Sequence, residues 1–363
     1  MLYLAYFILA FSVCQLLVAL SNLLSRQGFH AAQMPFEDLL SVLIPVRNEA
    51  QNIGNLLNDL QLQAYKNIEI IVFNDLSTDG TEAIVLDFAA KDQRIVLLNA
   101  NDLPPGWLGK NFACHSASIK ASGKYFLFLD ADVRIQKGVL HNAVARAEKH
   151  QLGLLSIFPK QQMRSMGERF TVPNMNYILL SLLPLGLVLR SRFTALAAAN
   201  GQFMLFNSTL YNQTHPHKKF KSNRVEDIEI ARYFKKMNFA VECLTGNRSI
   251  SCRMYTGFDE AVNGFSKNII RFFGDSFALA SLFWLFTTWG FIPILLSLDH
   301  FMTILYLFVL LLTRIVISYI SKQNIACNIL LMIPQQLTMG WIIYKAFKYK
   351  FKNQYQWKGR NIS

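Results

Sequence analysis

Two carboxylates on alternate residues, Asp130-Ala131-Asp132, stand directly after the apolar run Tyr125–Leu129. Acids spaced this way at a strand end can share one hard divalent cation. Mg2+ or Mn2+ takes few carboxylates when phosphate oxygens complete its shell. A second cluster, Asn74-Asp75-Leu76-Ser77-Thr78-Asp79-Gly80-Thr81, closes another apolar run. An Asp at a strand end, as Asp75 is, can accept hydrogen bonds from a base or ribose. Asp79 and Gly80 shape the loop and start the next helix. A third cluster, Pro45-Val46-Arg47-Asn48-Glu49, ends the run Leu39–Val46. Glu49 is within reach of a nucleoside, and Asn48 reads as a helix cap with Gln51 three residues on. Each cluster taken alone is also what an ordinary turn or cap looks like, because Asp and Asn are common in both.

The elements that must position these acids can be read from the same stretch. Leu39–Val46, Ile68–Asn74, Ile95–Asn99 and Tyr125–Leu129 are short, apolar and rich in β-branched or aromatic residues, as buried strands are. Helical spacing follows at Ile53, Leu56, Leu57 and Leu60, and again over Glu82–Lys91. Strands alternating with helices indicate a parallel α/β sheet, whose ligands sit at the carboxyl ends of the strands. Asp75, Asp130 and Asp132 all fall at such ends. Further on, Ala199–Phe206 reads as a strand. Arg224–Met237 reads as a helix that carries Glu226-Asp227 in its first turn, where acids favour the helix dipole.

The rest of the chain is apolar enough for a bilayer. Of 363 residues, 52% are hydrophobic and only 16% charged, against about a quarter charged in soluble domains. Met1–Ser25, Ser276–Leu298 and Ile325–Tyr344 carry no charge, and Phe301–Ile320 only Arg314. Each run approaches the ~20 residues of a span. Met1–Ser25 lacks a basic start and a small-residue cleavage site, so it reads as a retained anchor rather than a signal peptide. Pro173–Leu189 is too short to cross and reads as an interfacial helix. The expected organisation is an anchor over 1–25, a catalytic domain over 37–275 with the interfacial helix near 173–190, membrane helices over 276–345, and a basic tail over 346–363.

The net charge of +13 is not gathered into a basic helix or an aromatic-interleaved strand. Nucleotide phosphates and anionic lipid heads account for it, and no nucleic-acid partner is expected. The five cysteines have no CxxC spacing and read as isolated thiols in a reducing compartment. Arg26 follows the anchor, so the positive-inside rule puts the domain in the cytoplasm. Three further crossings would leave the basic tail outside, against the same rule. One run is therefore expected to be re-entrant or interfacial, with Arg314 and Pro334 marking two candidates.

The three acidic clusters, in this order and over about residues 39–275, resemble the family 2 glycosyltransferases of the GT-A fold. Pro104-Pro105-Gly106-Trp107-Leu108-Gly109-Lys110-Asn111, Asn200-Gly201-Gln202-Phe203, Gly264-Phe265-Ser266-Lys267-Asn268 and Trp357-Lys358-Gly359-Arg360 look like one branch of it. That branch contains carotenoid (diaponeurosporenoate-type) and hopene-associated glycosyltransferases. The resemblance implies an α/β GT-A domain with a mostly parallel sheet, plus transmembrane helices at both ends. It implies an inverting transfer of sugar from a nucleotide-sugar, UDP-hexose by default, to a carotenoid or other isoprenoid lipid. The reaction would run on the cytoplasmic face of the cell membrane with a divalent metal, Mg or Mn.

Residue by residue, the resemblance makes Pro45, Glu49 and Asp75 donor-side residues and puts Asp130 beside the donor. Asp132 becomes the metal ligand. Asp227, with Glu226, becomes the general base. Lys110, at a helix start, is placed to assist the donor phosphates. Asn200, Gly201, Gln202, His217, Arg271, Trp357 and Arg360 are acceptor-side or accessory candidates. The QxxRW string of processive members is missing; Asn268–Phe272 keeps only Arg271. This disfavours a polysaccharide synthase. A polyprenyl-phosphate sugar transferase and a non-catalytic membrane scaffold stay open as competing assignments.

Overall fold

The computed structural model describes residues 1–25 and 37–352, and beyond them only the backbone of 356–357 and 360–361. The chain divides into two compact units. One comprises Gly28–Lys160 and Leu187–Cys252; the other comprises Met1–Gln27, Gln161–Gly186 and Arg253–Ser363. The stretch expected as one catalytic domain, 37–275, is thereby shared between them.

The first unit is built on β1 (Leu40–Val46), β2 (Ile68–Asn74), β3 (Ile95–Asn99), β4 (Tyr125–Leu129), β5 (Val133–Ile135), β6 (Leu154–Phe158), β7 (Phe203–Asn207), β8 (Val241–Thr245) and β9 (Ile250–Cys252). Seven of these form a sheet in the order β3-β2-β1-β4-β7-β6-β8. The expected parallel core is present. β1 pairs in parallel with β2 and β4, and β2 with β3. Helices Ile53–Gln61, Thr81–Lys91 and Gly109–Lys120 connect these strands. Every residue of β4 is buried, as a strand covered on both faces requires.

β7 runs antiparallel to β4, with Leu129 opposite Phe203. The carboxyl end of β4 therefore meets the amino end of β7. The topology itself carries Asp130–Asp132 to Asn200–Gln202 across 70 residues of chain. The expected strand Ala199–Phe206 is observed as Phe203–Asn207. Asn200–Gln202 instead form the turn that enters it. β9 pairs antiparallel with β5, setting Cys252 opposite Val133. Two bidentate ion pairs fasten the periphery, Arg134 with Asp59 and Arg146 with the buried Glu242.

The second unit is helical. Leu2–Leu24 and His300–Ile320 are each long and apolar enough to cross a membrane. Phe277–Trp289 and Phe291–Ser297 form a pair bent by 52°, so the expected span Ser276–Leu298 is broken rather than straight. The expected run Ile325–Tyr344 is likewise divided, into Ile325–Leu330 and Met332–Lys352. Polar side chains turn inward, as they do between helices in lipid. The Asn22 side chain donates to the carbonyls of Leu180 and Leu183 at 3.1 and 2.9 Å and accepts from Leu185 N–H at 2.6 Å. Gln15 donates to Ser181. Both therefore join the first helix to the segment around Pro173–Leu182. Arg314 is buried, stacks 3.9 Å over the Tyr177 ring and donates to Gln335 Oε1 at 3.0 Å.

Candidate active site

The first two loops are stitched to each other. Asp75 N–H donates to Val46 carbonyl at 2.8 Å, and Arg47 donates to the carbonyls of Asp75 and Leu76. Asn48 adopts φ 52° and its side-chain oxygen accepts from Thr78 N–H at 2.8 Å. It is not the helix cap expected of it, because the helix begins only at Ile53, with Asn52 before it. Asp79 has the turn role foreseen: it accepts from Thr81 and from Ala50 N–H. Glu49 N–H donates to Thr81 Oγ1, and its carboxylate accepts from Asn52 at 2.8 Å. Glu49 and the buried Asp75 thus stand on adjacent loops held rigid by short local bonds. Pro45 is half-buried in β1, opposite Phe73.

Lys110 joins Asp130 to the acids at the start of the helix Glu226–Lys236. Its ammonium lies 2.7 Å from Asp130 and 3.9 Å from Glu226, and donates to Gly201 carbonyl at 3.3 Å. Burial works against its charge, but Asp130 and Glu226 more than offset that and hold its pKa above the usual lysine range. Asp227 is oriented by two backbone donors, Gly201 N–H at 2.9 Å and its neighbour Ile228 N–H at 2.8 Å. Burial pushes the carboxyls of Glu226 and Asp227 upward, and Lys110 opposes the rise in both.

Asn200 is held by Ser156, whose hydroxyl accepts from its N–H at 2.8 Å and donates to its carbonyl. Gln202 donates to Asp132 Oδ2 at 3.5 Å, and its carbonyl accepts from Asp130 N–H at 3.1 Å. The turn Asn200–Gln202 therefore touches all three acids Asp130, Asp132 and Asp227.

Asp132 is the residue best suited to a cation. Its Oδ1 is buried and has no hydrogen-bond partner among the described residues. Burial, Asp130 and Glu49 push its carboxyl up to about 7. A divalent cation would relieve both conditions. Among the described residues no cluster of three or more His, Cys, Asp or Glu side chains is assembled. A cation here would rest on few protein ligands and complete its shell from phosphate and water, as Mg2+ and Mn2+ do. The donor set fits.

His217 is buried against Phe128 and Phe206, and its Nδ1 is 2.8 Å from Tyr211 hydroxyl. Burial pushes its pKa down to about 3, so it is a neutral core histidine rather than an exposed acceptor contact. Arg271 belongs to the helical unit and pairs with Asp275 at 2.7 Å. Trp357 and Arg360 are backbone partners in an antiparallel pairing, and their side chains lie outside the described residues. Sequence reasoning passed over Ser156, Asn111 and Cys252. Asn111 is buried beside Lys110 and donates to the carbonyls of Phe220, Lys221 and Asn223 at 2.9–3.2 Å, fixing the loop that leads to Glu226. Its place within the unusual string Pro104–Asn111 was the available signal.

The sequence model of "Glycosyl transferase family 2" matches residues 41–229, more than half of the chain, and includes Glu49, Asp75, Asp130, Asp132, Glu226 and Asp227. The chain belongs to glycosyl transferase family 2. The motifs point to the same family. Among the proteins it is similar to is the 4,4'-diaponeurosporenoate glycosyltransferase of Staphylococcus haemolyticus, 26% identical over 246 residues, which are 63% of this chain and 60% of the relative. The protein of the same name from Staphylococcus aureus (strain USA300) is 27% identical over 260 residues, 68% of this chain and 66% of the relative. The chain thus spans 60–66% of the length of these relatives. The solved mannosyltransferase PcManGT of Pyrobaculum calidifontis, in complex with GDP-Man and Mn2+, aligns over 95% of this chain and 99% of its own, with 16% identity and a TM-score of 0.55. That likeness supports the GT-A-like α/β fold.

Proposed function

We propose that this family 2 enzyme transfers a sugar from a nucleotide-sugar to a carotenoid-type or other isoprenoid lipid at the cytoplasmic face of the cell membrane. The observation that carries the reading is the turn Asn200–Gln202, bonded on one side to Asp130 and Asp132 and on the other to Asp227. A donor-side acid pair and a base belong together in a transfer with inversion. The relatives' names supply the acceptor class, and the two apolar helices supply the membrane.

In this reading Glu49 and Asp75 bind the nucleoside from their paired loops. Lys110 faces the diphosphate from beside Asp130. Asp132, with Asp130 beside it, would hold the divalent cation, which neutralises the leaving diphosphate. Asp227 accepts the proton of an acceptor hydroxyl as that oxygen bonds to the anomeric carbon. The bond from that carbon to the diphosphate breaks on the opposite face, and the diphosphate leaves with the electron pair. An acceptor that is already a carboxylate brings no proton. The same attack then proceeds without a base.

The test is an assay on membranes supplied with UDP-sugars or GDP-mannose and Mn2+ or Mg2+, with extracted lipids weighed by mass spectrometry. A lipid that gains a hexose mass with the wild type and not with Asp132→Ala is the expected outcome. Asp227→Asn is expected to lose about 100-fold or more with a hydroxyl acceptor and far less with a carboxylate acceptor. No glycosylated lipid from any donor, with folded protein present, would refute the proposal.

A further inference from the structure

Pairing of β9 with β5 sets Cys252 opposite Val133, and so next to Asp132. Cys252 and Gln202 are both buried, at 0% and 5% exposure. Gln202 Nε2 donates to Cys252 Sγ at 2.8 Å as well as to Asp132 Oδ2 at 3.5 Å. The Cys252 thiol is itself within hydrogen-bonding reach of Asp132. Gln202 is fixed independently, since its N–H donates to Asn200 Oδ1 at 2.8 Å and its carbonyl accepts from Asp130 N–H. Asp132 Oδ1, by contrast, has no partner among the described residues.

One carboxylate oxygen is thus tied and the other is free. Ligating carboxylates are held in this way by partners that do not touch the metal. A thiol is a weak donor and a weak acceptor. It can orient a carboxylate without drawing off the charge that a cation needs.

We infer that Cys252 and Gln202 form a positioning pair that holds Asp132 with one oxygen open to a divalent cation. The inference rests on the metal-assisted reading of the site given above. It extends that reading to a cysteine outside all the recognised motifs.

The decisive measurement is Mn2+ binding to purified full-length protein in detergent, followed by electron paramagnetic resonance with UDP or GDP present and no acceptor. Cys252→Ala is expected to bind Mn2+ about 10–100-fold more weakly than wild type, the usual effect of losing an outer-shell partner. Its metal-free melting temperature is expected to stay within a few degrees of wild type. Cys252→Ser, which keeps a donor, is expected to recover part of the affinity. Equal Mn2+ binding by wild type and Cys252→Ala would overturn the positioning role and leave the metal reading intact. A weaker-binding Cys252→Ala that also melts far below wild type, with no recovery in Cys252→Ser, would make Cys252 a packing residue only. A wild type that binds no Mn2+ would remove the metal reading itself.

Discussion

Lys110 is ion-paired with Asp130 at 2.7 Å. The same ammonium is 3.9 Å from Glu226, so one cation faces both the acid that follows β4 and the first turn of the helix Glu226–Lys236. Removing it has consequences on both sides.

Lys110→Met leaves Glu226 and Asp227 without the cation that opposes their upward shift. Their pKa values then rise further, and the base reaches its ionised form only at higher pH. The acid limb of the kcat/KM profile is expected to move to higher pH by about one unit, equivalent to about 1.4 kcal/mol. Lys110→Arg is expected to keep the limb near its place. A limb that does not move in Lys110→Met would restrict Lys110 to the donor side.

Asp132 gives a pH dependence of stability whose sign can be worked out. Its folded pKa is raised to about 7 from an ordinary 3.8. The folded metal-free protein therefore holds a proton that the unfolded chain releases at a lower pH. Stability falls as pH rises between roughly 4 and 7. Asp132→Asn has no such charge to accommodate. In metal-free buffer it is expected to match wild type near pH 4 and to exceed it at pH 8, by on the order of 2–4 kcal/mol. Melting curves at the two pH values check this. A variant with no advantage at pH 8 would show that Asp132 ionises freely.

Asn111 anchors three carbonyls of the loop 220–223. Asn111→Ala leaves them without that donor and is expected to cost about 1–3 kcal/mol. Asn111→Asp puts an anionic acceptor against three acceptors and is expected to cost more. Denaturant melts would order the pair. Similar stability for both would mean that water replaces the amide at no cost.

Much of this fold was legible because its strands are apolar runs bounded by polar turns, a signal each segment carries locally. Ile68–Asn74, Ile95–Asn99 and Tyr125–Leu129 begin and end where the apolar runs do. The acids at their ends could be read because their surroundings are a strand and a turn, both local features. What escaped depends on distant partners. Asn48 looks like a cap in sequence, yet its oxygen is taken by Thr78, 30 residues away. His217 is an accessory candidate by resemblance, and its burial is not legible locally because the rings that enclose it, Phe128 and Phe206, come from two different strands. Cys252 has no informative spacing at all; only an antiparallel pairing brings it to Asp132. β6 and β8 pair in parallel across a long intervening chain, and nothing adjacent to either announces the partner.

Asn22 supplies a hydrogen-bond partner to three backbone groups where the helix Pro173–Leu182 ends. The Leu180 carbonyl is one that the carboxyl end of a helix leaves without an intrahelical partner, and the Leu183 carbonyl and Leu185 N–H belong to the turn that follows. The first helix is therefore a structural component and not an interchangeable tether. An unrelated apolar helix of equal length would keep the chain on a bilayer. It would also strip the Leu180 and Leu183 carbonyls and the Leu185 N–H of the side chain that now satisfies them. Any segment put in place of the first helix would have to carry an equivalent amide side chain at the position of Asn22 to close the helical unit.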